Sequence, residues 1–106
     1  MFFELRDYTA KPGQRDRLAR VMDEELIPYQ VSLGMVVVGS FKGRDDDDKY
    51  YWIRRFESEE EKDRLYQAVY QSEYWNTYFM PLVEELLHRD KIKVTIIEPT
   101  PKSILR

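Results

Sequence analysis

A chain of 106 residues with 42% hydrophobic content has the size of one domain around one core; it holds no cysteine, which excludes disulfides, iron–sulfur clusters and thiolate chemistry. Lys and Arg number 17 against 20 Asp and Glu, a net charge of -3, and the signs are interleaved rather than gathered into the basic patch a nucleic-acid surface needs. Glu4 and Arg6 interrupt the N-terminus too early for a signal-peptide hydrophobic region and no apolar run approaches membrane-spanning length, so a cytoplasmic protein without a membrane span is expected.

In chain order, Phe2 to Thr9 alternates as a half-buried strand does, with Phe3 and Leu5 on one side and Glu4, Arg6 and Tyr8 on the other. "AKPGQRD" ends it, and Pro12 suits the first turn of a helix. Leu18, Val21, Met22, Glu25, Leu26 and Tyr29 then fall at three- and four-residue spacing. Pro28 predicts a bend in this helix, and Gly34 its end. "MVVVGSF" reads as a second strand and "KYYWIRRF", from Lys49, as a third. Ser58 with Glu61 predicts the cap of a second helix striped by Leu65, Ala68 and Val69. After "QSEYW", the residues Trp75, Tyr78, Phe79, Leu82, Val83, Leu86 and Leu87 share one helical face. "KIKVTIIE" is the last strand.

Strand, helix, strand, strand, helices, strand is the split βαβ pattern, an α+β ferredoxin-like βαββαβ fold with a four-stranded antiparallel sheet. Right-handed crossovers put both helical units on one face. With Phe3 and Leu5 taken as core residues, the uncovered face is expected to carry Phe2, Glu4, Arg6 and Tyr8 from the first strand and Trp52 and Arg54 from the third. An aromatic patch of that kind calls for a covering partner.

The pieces "FELRDYTAKPGQ", "LGMVVVGSF", "YWIRRF" and "SEYW" resemble the NIPSNAP family: its Glu-Leu-Arg-x-Tyr opening and Pro-Gly lead into the first helix, its second strand after a Gly turn, its Trp-x-Arg-x-Phe strand, and its acidic-Trp step before the last helix. The resemblance runs from about Phe3 to Trp75 and weakens through Lys91 to Glu98; the acidic "GRDDDDKYY" connection and "YFMPLVEELLH" depart from it. It implies that residues 1–106 form one such domain, a dimeric α/β barrel in which two ferredoxin-like sheets pack face to face. The family has no single established activity, and the barrel superfamily spans cofactor-free monooxygenases, haem enzymes and ligand-binding proteins, so the fold alone selects no function.

The Asp45–Asp48 run lies between two strands that must form a hairpin and reads as a solvated turn; adjacent carboxylates lack the alternating ligand spacing of a calcium loop. His88 is the only histidine. Without a second imidazole or a thiolate nearby it offers neither a zinc site nor a well-placed haem ligand, and it reads as a residue at a helix end. Neither metal nor cofactor is expected.

Glu4, Arg6, Tyr8, Trp52 and Arg54 are the candidate ligand-binding residues. A guanidinium beside aromatic walls suits a small anionic or aromatic ligand. In the competing reading, Glu4 and Arg6 pair with Arg54 and its symmetry mate and only lock a homodimer. Nothing at these positions forms a nucleophile–base pair. Three functions are compatible with the sequence: a homodimeric small-molecule-binding domain, a cofactor-independent oxygenase or isomerase with Tyr8 or Glu4 as proton acceptor, and an adaptor acting through its outer surface.

Overall fold

A computed structural model describes residues 1–106, and the elements follow the expected order. Strand β1 is Phe2–Thr9, β2 is Val36–Lys42, β3 is Lys49–Phe56 and β4 is Lys93–Ile97. They form one sheet in the order β2-β3-β1-β4, antiparallel throughout. This is the ferredoxin-like α+β arrangement read from the sequence. No helix is long and apolar enough to cross a membrane.

The first helical unit begins later than Pro12 suggests. Gly13 has φ +75°, a left-handed conformation that cannot continue a helix, so α1 spans Arg15–Val21 with Gln14 at its N-cap. A π-helical segment, Met22–Leu26, follows, and α2 resumes over Ile27–Ser32. The bend expected at Pro28 takes this form, because proline lacks the N–H that would continue the α ladder. Gly34, at φ +109°, ends the unit as expected.

In the second unit, α3 covers Glu59–Tyr70, with the Ser58 side chain accepting from the Glu61 N–H at 3.1 Å. A second π-helical segment, Trp75–Phe79, leads into α4, Met80–Leu86, which has Pro81 in its first turn. The segment winds more slowly than the α period, so the expected apolar face does not stay together. Phe79, Val83, Leu86 and Leu87 are buried, whereas Tyr78 is exposed. His88 lies beyond the end of α4 and starts a 3₁₀ turn, Arg89–Lys91, with its N–H donated to Thr9 O.

Cross-strand partners decide which residues share a face. Phe2, Glu4, Arg6 and Tyr8 stand opposite Phe56, Arg54, Trp52 and Tyr50. Tyr8, Tyr50 and Trp52 pack in one core with Leu18, Met22 and Leu26 of the first helical unit and Phe79 and Leu86 of the second. The candidate residues are therefore together on one face, but it is the face beneath the helices. The face that no helix covers carries Phe3, Leu5, Tyr51 and Ile53, with Val36 and Phe41 from β2 and Ile97 from β4; Phe3 is buried there, and Pro99, Thr100, Ser103 and Leu105 of the C-terminal tail border it. The inversion has a physical reason. Both faces of this sheet mix apolar and charged residues, with Asp7, Lys49 and Arg55 on the outer one, so hydrophobicity alone does not orient the strands, and Glu4 and Arg54 sit inside because they pair there.

Candidate ligand site

Glu4 and Arg54 are almost fully buried and face one another across β1 and β3. Arg54 uses all five of its N–H groups. Its Nε and Nη2 reach Glu4 Oε1 at 2.8 and 2.5 Å, and Nη2 also reaches the Tyr66 hydroxyl at 2.9 Å. Its Nη1 donates to Gln30 Oε1 at 2.9 Å and the Tyr70 hydroxyl at 2.7 Å. The Tyr66 hydroxyl donates to Glu4 Oε2. Burial raises the Glu4 pKa, but Arg54, the Tyr66 hydroxyl and Arg6 outweigh it, and the pKa falls below the ordinary value. Glu4 is thus held as a carboxylate with both oxygens engaged by donors, which makes it a weak base. The pair forms within one chain, so it needs no symmetry mate.

Arg6 lies beside this pair. Its Nη1 is 3.3 Å from Glu4 Oε1 and 3.4 Å from the Tyr66 hydroxyl, and its Nε donates to the Tyr8 hydroxyl at 3.0 Å. Burial opposes its charge, but Tyr8, Tyr70 and Glu4 more than compensate and raise its pKa. One negative charge, Glu4, and two positive ones, Arg6 and Arg54, leave the buried group with a net charge of +1 (−1 + 2).

Arg6 borders a cavity of about 280 Å³ between the sheet and the helices. Tyr8, Trp52 and Tyr70 line it with Arg6, and Leu26, Trp75, Met80, Val83 and Ile92 supply apolar walls. Arg89 also borders it; this residue is about half exposed and paired with Glu84 at 3.1 Å. The two π-helical segments contribute Leu26 and Trp75, in keeping with the frequency of such segments at functional sites. Of the five candidate residues, Arg6, Tyr8 and Trp52 reach the cavity, and Glu4 and Arg54 form the ionic support behind them. A wider cleft of about 400 Å³ between α1 and β2 is bordered by Asp16, Arg20, Asp23 and Lys42, whose charges offset one another.

The sequence reading missed Gln30, Tyr66, Tyr70, Arg89 and the apolar walls. Three of them carried a signal. Gln30 follows Leu26 by one helical turn on the buried stripe, a place where an amide needs a buried partner. Tyr66 and Tyr70 are four apart on α3 and so project from one side. The acidic turn is built as expected: the Asp48 N–H bonds Asp46 Oδ1 at 3.0 Å and the Gly43 N–H bonds Lys49 O at 2.8 Å. No group of three or more His, Cys, Asp or Glu is arranged to hold a metal ion.

The sheet and the helices on one of its faces define a ferredoxin-like α+β domain, with the Arg6 cavity between them. A NIPSNAP family protein with unknown function from Agrobacterium tumefaciens superposes with TM-score 0.87 at 26% identity, over 100% of this chain and 94% of that one. An uncharacterized NIPSNAP-like domain protein from Burkholderia xenovorans superposes with TM-score 0.85 at 20% identity, over 96% and 87%. An antibiotic biosynthesis monooxygenase shares the fold more distantly, with TM-score 0.67 at 16% identity over 95% and 100%. No protein-family model matches the chain, and no curated protein matches it. The chain is NIPSNAP-like, as the sequence motifs suggest.

Proposed function

We propose that residues 1–106 act as a small-molecule-binding domain whose site is the Arg6 cavity, and that two copies associate through their uncovered sheet faces. The observation that carries the binding reading is a net charge of +1, its surplus on an Arg6 side chain only 14% exposed, beside a largely apolar cavity with no carboxylate in its lining. A charge in that position costs free energy that a bound anion offsets. At about 280 Å³ the space lies just below the roughly 300 Å³ at which ordinary ligand pockets begin, so the ligand is small. The test is a screen of small carboxylates by melting temperature on the wild type and on Arg6→Met, because a ligand that binds only the folded protein stabilises it by mass action. Acids that raise the wild-type melting temperature and leave Arg6→Met unmoved support the reading; a flat screen on the wild type contradicts it.

The homodimer is supported by Val36, Phe41 and Ile97, which stand 44%, 53% and 42% exposed on the uncovered face, and by the family resemblance. Large apolar side chains grouped on one face of a sheet favour a partner.

A further inference from the structure

We propose that the ligand is a monocarboxylic acid with an apolar body, its carboxylate held at the sheet by Arg6 and the indole N–H of Trp52. This rests on reading the cavity as an anion site, and it adds the headgroup, its charge and its orientation.

Among the residues that line the cavity, the unused hydrogen-bonding valences are donors. Trp52 is fully buried, and its Nε1–H has no acceptor. An indole can only donate, and a buried donor without a partner is costly. Arg6 Nη2 makes no hydrogen bond, since Nε and Nη1 carry the contacts to Tyr8, Glu4 and Tyr66. The Tyr70 hydroxyl already accepts from Arg54 at 2.7 Å and from Gln30 Nε2 at 3.5 Å, and the Tyr8 hydroxyl accepts from Arg6 at 3.0 Å. Neither hydroxyl proton has a protein acceptor. The complementary group is therefore rich in acceptors and poor in donors, which excludes amines and makes neutral amides a poor match.

Charge sets the class further. The buried group carries +1, and Arg89 is already paired with Glu84. One negative charge on the ligand balances the site, whereas a second would be buried without a partner. Leu26, Met80 and Val83, with the ring of Trp75, offer mainly apolar surface to the rest of the molecule. A short aryl or alkyl acid meets each of these conditions.

The experiment uses the wild-type protein with ¹⁵N-labelled tryptophan. The chain holds 2 Trp, so two indole N–H signals appear, and Trp52→Phe or Trp75→Phe assigns them. Phenylacetate is titrated in, with phenylacetamide as its neutral counterpart and succinate as a dianion. Saturable movement of the Trp52 N–H signal with phenylacetate, and about tenfold weaker binding of the other two, is the expected result. In Trp52→Phe, phenylacetate affinity falls about tenfold, the scale of one hydrogen bond to a charged group. Saturable binding that leaves the Trp52 signal unmoved overturns the headgroup placement but leaves the anion site standing. Succinate binding as tightly as phenylacetate overturns the single-charge assignment alone. Failure of all three probes, together with a flat carboxylate screen, overturns both this inference and the function on which it rests.

Discussion

Arg54 and Glu4 occupy directly opposed positions on β3 and β1, and both Nε and Nη2 of the arginine reach one carboxylate oxygen, at 2.8 and 2.5 Å. Arg6 approaches the same oxygen at 3.3 Å. The two arginines therefore have different energetic roles. Arg54→Met leaves Glu4 buried with only Arg6 and the Tyr66 hydroxyl as partners and strips hydrogen bonds from Gln30, Tyr66 and Tyr70, so it should cost about 3–5 kcal/mol. Arg6→Met leaves the Glu4–Arg54 pair intact and should cost only about 1 kcal/mol, the scale of one ordinary hydrogen bond. Urea unfolding of the two variants checks the order. Equal losses would contradict the assignment of Arg54 as support and Arg6 as the ligand-facing charge.

Acid should act through Glu4. Its folded pKa lies below the ordinary value, so its stabilising contribution is full above the unfolded pKa of about 4.3 and is lost as pH falls through the folded value. Glu4→Gln is therefore most damaging at neutral pH, and the gap from wild type narrows at low pH. Melting curves from pH 7 to pH 3 for both proteins read this directly; a gap that does not change with pH would refute it.

The order of elements was legible in the sequence because period-two and helical patterns alternate cleanly from Phe2 to Ile97. Ser58, Glu61 and Gly34 marked helix ends through local hydrogen bonding and backbone conformation, which need no tertiary context. Orientation of the sheet was not legible. Phe2 and Phe3, or Ile53 and Trp52, offer nearly equal apolar weight to either face, and the pattern contains no term for the Gln30, Tyr66 and Tyr70 groups that hold Glu4 and Arg54 on the inner one. Five candidate residues were correctly grouped for the same reason that their side was missed: strand alternation fixes which residues go together, and only the helices fix where they go. Tyr78 was misplaced because a π-helical segment breaks the periodicity on which the stripe was counted.

The acidic turn makes a simple prediction. The backbone of Gly43 and Asp46 is held by Arg15 Nη1 at 3.1 and 3.3 Å, and the Asp46 side chain bonds only within the turn. Replacing Asp45 to Asp48 by a Gly/Asn turn should change stability by less than about 1 kcal/mol, as loop tips tolerate such exchange. Calcium should shift the melting temperature of neither protein. A calcium-dependent rise in the wild type that the exchange abolishes would show that the run is a binding loop.

The uncovered face yields a prediction about association. Phe41 stands opposite Tyr51 on that face and is the most exposed of its β2 apolar residues. Sedimentation at micromolar concentration should give the mass of two chains, and Phe41→Lys should shift the population toward one chain with little change in the monomer's secondary structure. A wild type that sediments as one chain would contradict the dimer.

The proposed ligand position lies between sheet and helices rather than on the open sheet. Methyl-labelled protein titrated with the tightest acid from the carboxylate screen tests it most directly. Saturable shifts at the methyls of Leu26, Met80, Val83 and Ile92, which line the cavity, are the predicted result, with Leu5 and Ile53 unmoved at low ligand occupancy. Shifts confined to Leu5, Ile53 and Ile97 on the opposite face would contradict it.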